Sequence, residues 1–97
     1  MNSEKILKVV YMYKDYFLEN NIEPLDFTHN DKLAFNIDAL SHCCGMVNKI
    51  EKFVVEGRKE KAFRWLGFMQ GCLWSLGIYS LDDLKDHNRP DTKIFTR

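Results

Sequence analysis

Apolar residues recur along this chain at spacings of three and four, the period of a helix with one buried face. From about Glu4 to Glu19, Ile6, Val9, Val10, Tyr13, Tyr16 and Phe17 fall on one side, with Leu7, Tyr11 and Leu18 as a smaller second stripe. Asn2 or Ser3 supplies the cap and Asn20-Asn21 the stop. A connector containing Pro24 follows, from Asn21 to Phe27. Thr28-His29-Asn30-Asp31 has capping-box spacing, with Asp in place of the usual Glu or Gln. It predicts a long helix reaching about Glu56 and ended by Gly57. Leu33, Ile37, Leu40, Cys44, Val47 and Val54 line one side of it, and Phe35, Ala39, Met46, Ile50 and Phe53 widen that surface. The apolar arc covers about 200° of an ideal wheel, where a surface helix shows a stripe of roughly 100°. Such a helix needs neighbours on two sides.

A third helix is predicted from about Arg58 to Leu76, with Ala62, Trp65, Leu66, Met69, Cys72, Leu73 and Leu76 on its core face. Gly77 suits the left-handed stop, and Ile78 can pack back on the last turn. A short fourth helix runs from Leu81 to His87, with Ser80 as cap and Asp83 as the returning acid. Asn88, Arg89 and Pro90 end it. Strand signals are weak and no hairpin turn dipeptide occurs. The expected fold is all-α: an antiparallel helical hairpin with an N-terminal cover helix and a short C-terminal helix. It forms one domain over 1–97, with Asp91 to Arg97 as a flexible tail or a partner-dependent arm. Positions equidistant from a hairpin turn near Arg58 should meet, which would bring Cys44 to Cys72.

Composition narrows the function classes. The 97 residues carry fourteen basic and fourteen acidic side chains, a formal charge of zero. That argues against disorder and makes nucleic acid an unlikely partner. No run approaches the roughly 18–20 apolar residues of a membrane span, and the N-terminus has no secretory pattern, so a cytoplasmic chain is expected. Three cysteines, two of them adjacent, make a poor disulfide framework and suit reduced, packed thiols. His42, Cys43 and Cys44 point about 100° apart on a helix, so no metal site is expected. The acidic excess sits in residues 1–48 and the basic excess in 49–97, concentrated over 49–64. This basic stretch reads as a solvated helix end or as a phosphate-binding or acid-binding patch, and the opposed halves suit head-to-tail or antiparallel association of copies.

Three glycines lie inside the predicted helices, each costing about 1 kcal/mol relative to Ala. Gly67 and Gly71 share one face of the third helix, opposite its core stripe and flanked by Phe63 and Trp74. The candidate surface is therefore Arg64, Gly67, Gly71, Trp74, Phe63 and Lys61. It admits two readings: close packing of the first helix or of a second copy, or a notch for a flat ligand with Arg64 holding an anion. Gly45, beside Ser41 and Asn48, marks a kink or a contact point.

No phosphate loop, dinucleotide fingerprint, nucleophile elbow or zinc-protease motif is present. His29, His42 and His87 fall at a helix start, a polar helix face and a helix end, where each reads as a surface or capping residue. No catalytic residue, cofactor or enzymatic activity is expected. Seven Phe, four Tyr and two Trp exceed what so short a chain can hide. Self-association follows, with a twofold dimer preferred.

The segment Arg64-Trp65-Leu66-Gly67-Phe68-Met69-Gln70-Gly71-Cys72-Leu73-Trp74, with Tyr79-Ser80-Leu81-Asp82-Asp83-Leu84-Lys85-Asp86-His87-Asn88-Arg89-Pro90, resembles small soluble proteins of tailed bacteriophages, the T4-like group among them. The resemblance covers the C-terminal third and brings no catalytic signature. It implies a small soluble phage protein made in a bacterial cytoplasm. Together with the missing catalytic motifs and the surplus apolar surface, it gives the expectation of a non-enzymatic interaction protein. Such a protein would bind a host protein, a regulatory or antiviral-defence component, as a homo-oligomer. The alternative is a protein that sequesters a nucleotide-derived signal at a subunit interface.

Overall fold

Each helix end follows from local chemistry. The computed structural model describes residues 1–91, which form α1 (Ser3–Glu19), α2 (Asn36–Val55), α3 (Lys59–Ser75) and α4 (Leu81–Asn88), with no strand among the described residues. Asn2 caps α1, its side chain accepting from the Lys5 N–H at 2.8 Å. Ser80 and Asp83 form the expected reciprocal box, at 3.0 and 2.9 Å. The first three helices stop alike. Asn21, Gly57 and Gly77 take positive φ, and the next N–H bonds back to Phe17, Phe53 and Leu73 at 2.9, 2.8 and 2.9 Å. This satisfies carbonyls left over at the helix end, and at two of the three it turns an isoleucine, Ile22 or Ile78, onto the core.

α2 and α3 pack on each other, α1 lies against both, and α4 contacts α1. The core is Ile6, Val9, Val10, Tyr13 and Phe17 from α1, Ile22 after it, Cys43, Met46, Val47 and Ile50 from α2, and Ala62, Leu66, Met69 and Leu73 from α3. The α1 stripe is as the spacing predicts, with Tyr16 only partly buried. No helix among the described residues is long and apolar enough to cross a membrane.

α2 departs from expectation. It starts at Asn36, not near Thr28, and Leu33, Phe35 and Ile37 are exposed. Thr28 and Asp31 do bond each other, through Thr28 N–H to Asp31 Oδ2 at 3.2 Å and Asp31 N–H to Thr28 O at 3.1 Å. The Thr28 hydroxyl, however, donates to Asn30 at 3.1 Å, so the box closes one turn and opens no helix. The connector instead docks on α2: the Leu25 N–H donates to Ser41 O at 3.0 Å. Gly45 makes this possible, because a Cβ there would stand 2.6 Å from the Leu25 carbonyl oxygen. Gly45 is thus a contact point.

The buried face of α2 is Ser41, Cys43, Met46, Val47 and Ile50, rotated from the expected stripe. Cys43 is fully buried, while Cys44 is half-buried with its thiol donating to Ile22 O at 3.5 Å. It is Cys43, not Cys44, that pairs with Cys72: the two thiols act on each other, raising the pKa of the buried Cys43 and lowering that of Cys72. All three thiols are free. Of the expected tail only Asp91 is described, and its carboxylate accepts from Lys5 and Lys8 at 3.0 and 2.9 Å. Residues 92–97 lie outside the described residues.

Candidate functional site

Two features stand out on α3, on adjacent sides of the helix. The first is its outer face. Phe63, Phe68 and Trp74 are 46%, 58% and 50% exposed, so none is absorbed into the core. Between them lie Gly67 and Gly71, and a Cβ on either would meet nothing within 4 Å. α1 does not pack there, which removes that half of the close-packing expectation. At 1.5 Å rise per residue the strip from Phe63 to Trp74 runs about 16 Å. Four of the six residues singled out from sequence, Phe63, Gly67, Gly71 and Trp74, share this face.

Lys61 does not join them. Its Nζ stands 4.6 Å from the Phe53 ring centroid, and the Arg58 guanidinium lies 5.3 Å from the same ring. Phe53 in turn meets Trp65 edge-on at 4.9 Å. Part of the basic stretch is therefore spread over aromatic rings at the α2–α3 turn, where cations over ring faces are attracted electrostatically.

The second feature is a cleft of about 380 Å³ between the connector, α2 and α3. Arg64 belongs to its lining, together with Asp26, Phe27, His42, Trp65 and Phe68. Asp26 accepts from Lys49 at 3.0 Å, which lowers its carboxyl pKa, and Lys49 also sits 5.9 Å from the Trp65 ring. Arg64 forms no ion pair among the described residues. His42 lies 6.0 Å from the Phe27 ring, and its Nδ1 is enclosed without a hydrogen-bond partner. A hydrogen on Nδ1 would have no acceptor, so the Nε2–H tautomer is favoured. Aromatic walls with an unpaired guanidinium and an imidazole suit a flat ligand carrying negative charge.

Spacing alone did not locate this cleft. Asp26 and Phe27 sit in a connector whose docking depends on Gly45, and spacing puts His42 on a polar helix face. The only signal in the sequence was Arg64, Trp65 and Phe68, which lie within one turn of α3. Among the described residues no group of three His, Cys, Asp or Glu side chains could hold a metal ion.

A polar cluster lies under α4. Tyr13, fully buried, accepts from Gln70 Nε2 at 3.0 Å and bonds His87 Nδ1 at 2.8 Å. Gln70 and Asn88 exchange amide hydrogen bonds at 2.7 and 3.0 Å. Burial pushes the Tyr13 hydroxyl pKa up to about 12. His87, read from sequence as an ordinary helix-end residue, is therefore bound to the core. Known proteins supply no family for this arrangement: no family model, curated protein or solved structure matches the chain.

Proposed function

We propose that this chain is a non-enzymatic binding protein that works as a homo-oligomer, with a twofold dimer formed first through the outer face of α3. In this reading α2 and α3 make an antiparallel helical hairpin, α1 is its cover helix and α4 the short closing helix. The observation that carries it is the pairing of half-exposed Phe63, Phe68 and Trp74 with two glycines whose missing side chains make room for nothing inside the chain. Each glycine costs about 1 kcal/mol of helix stability, a cost that close approach of a second backbone would offset. In the phage setting implied by the sequence resemblance, the assembled form would bind a host protein in the bacterial cytoplasm.

Sedimentation velocity on the wild type and on Trp74→Glu tests the association step. The wild type should sediment as a dimer or larger and the variant as a monomer, with unchanged helical content. A wild-type monomer at high micromolar concentration would overturn the proposal.

The cleft favours a second reading, sequestration of a nucleotide-derived signal. Its residues then differ from the sequence expectation: Arg64 stays, but Trp65, Phe68 and Phe27 replace Trp74 and Phe63 as the stacking walls. A ligand at 100 times its dissociation constant should add about 2.7 kcal/mol of stability. Thermal shift against linear and cyclic nucleotides separates the readings, because Arg64→Ala should abolish the shift and Trp74→Ala, outside the cleft lining, should retain one.

A further inference from the structure

α4 buries none of its residues completely, so its attachment rests on few contacts. Leu84 packs partly on the core, and Tyr79, just before the helix, meets Tyr13 and Tyr16 at a tilt and His87 edge-on. The directional part of the attachment is the polar cluster at the C-terminal end of α4, and its hydrogens can be counted. Gln70 has two amide hydrogens: one goes to the Tyr13 oxygen and one to Asn88 Oδ1. Asn88 returns a hydrogen to Gln70 Oε1. Tyr13 has a single hydroxyl hydrogen, and its remaining close partner is His87 Nδ1. With Gln70 and Asn88 in these orientations, the inventory closes when Tyr13 donates to a bare Nδ1, with the imidazole hydrogen on Nε2.

We propose that His87 is a pH-operated latch, which holds α4 against α1 and α3 while neutral and releases it on protonation. A proton on Nδ1 would face the Tyr13 hydroxyl hydrogen. That hydroxyl belongs to a fully buried residue and already accepts from Gln70, so the clash costs a buried hydrogen bond. The same release would strand the Gln70–Asn88 amide pair, because Asn88 adjoins His87 on α4.

The charged surroundings do not cancel this. Burial of the ring lowers the His87 pKa, Asp83 and Asp86 on α4 oppose that shift, and Lys5 on α1 reinforces it. Tyr13 and Tyr79 face the ring as neutral groups over the relevant range. Asp83 is engaged in the Ser80 capping box and Asp86 pairs with Arg89 at 2.9 Å, so neither is dedicated to the imidazole. A base with a lowered pKa in the docked state stabilises docking above its ordinary pKa near 6.5 and loses that contribution as pH falls. If only undocked α4 takes up the proton, the docking constant at pH 5 falls toward a limit of about thirtyfold.

Amide hydrogen exchange on the full chain reads this out, as protection of α4 relative to the intrinsic rate at each pH. Protection over 81–88 should fall severalfold between pH 7.5 and 5, while α2 holds. His87→Asn keeps an acceptor near the Nδ1 position without a titratable ring, so its α4 protection should be flat with pH. Tyr13→Phe removes the opposing hydroxyl, so it should weaken α4 at neutral pH and flatten the acid response. Wild-type protection that stays level across this window would overturn the latch. So would an acid response that persists unchanged in both variants.

Discussion

Three glycines in helix interiors give the sharpest test of how this fold is built, because they should respond to the same substitution in opposite directions. At Gly67 and Gly71 a methyl group meets nothing within 4 Å. Only helix propensity then acts, and each change to Ala should stabilise the isolated chain by about 1 kcal/mol. In a domain of this size that raises the midpoint of thermal unfolding by about 4–8 °C. At Gly45 the same methyl stands 2.6 Å from a backbone oxygen, on a connector held by the Leu25–Ser41 bond. The connector must lift, at an overpacking cost of about 1–3 kcal/mol plus about 1 kcal/mol for the lost hydrogen bond. After the propensity gain, Gly45→Ala should destabilise by about 1–3 kcal/mol. Urea unfolding followed by circular dichroism, at concentrations low enough for the monomer, measures all three. Stabilisation by Gly45→Ala equal to that of Gly67→Ala would refute the docking of the connector. Destabilisation by Gly67→Ala in the monomer would mean that an intramolecular neighbour fills the strip. At high concentration Gly67→Ala and Gly71→Ala should also weaken dimerisation at least about tenfold, or ~1.4 kcal/mol.

Other perturbations test separate parts of the molecule. Tyr13→Phe leaves Gln70 and His87 each short of a partner and should cost about 1–3 kcal/mol in urea unfolding at neutral pH; a neutral result would mean the cluster is not closed. Ser80→Ala removes half of the α4 capping box and should cost about 1 kcal/mol, with exchange in α4 accelerated and that in α1 unchanged. Thiol mapping with a limiting alkylating agent should modify Cys72 before Cys43, because Cys43 is fully buried while Cys72 is only partly so and has a lowered pKa; the reverse order would contradict that difference.

The elements legible in the sequence are those fixed by neighbours a few residues apart. The α1 stripe, the Ser80–Asp83 box and the Gly77–Ile78 stop each depend on contacts within one or two turns, so spacing suffices to find them. The start of α2 was misplaced because a cap signature states only that a turn can close. Whether a helix then propagates depends on what its face buries, and Leu33 and Phe35 have nothing to bury against. The winning alternative, a connector seated in the gap at Gly45, joins residues twenty apart and leaves no periodic trace. The Cys44–Cys72 expectation failed for a related reason. Equal spacing from an expected turn gives the height of a pair along two helices but not their rotation, and it is Cys43 that faces inward.

The uncovered α3 face and the cleft share a boundary, and that bears on how binding and assembly relate. Phe68 lines the cleft yet is more exposed than either Phe63 or Trp74. Arg64 lines the same cleft and precedes Gly67 by one turn. A second copy seated on the glycine strip would thus stand beside the cleft mouth and withdraw water from Phe68. Screening of the Arg64 charge would weaken, so an anion in the cleft would be held more strongly in the dimer than in the monomer. By reciprocity the anion would favour the dimer by the same factor. Trp74→Glu, which lies outside the cleft lining, should therefore lower anion affinity only through loss of assembly, and the deficit should vanish when both proteins are compared as monomers at high dilution. An equal deficit at every protein concentration would place Trp74 in the ligand site itself and dissolve the separation of the two surfaces.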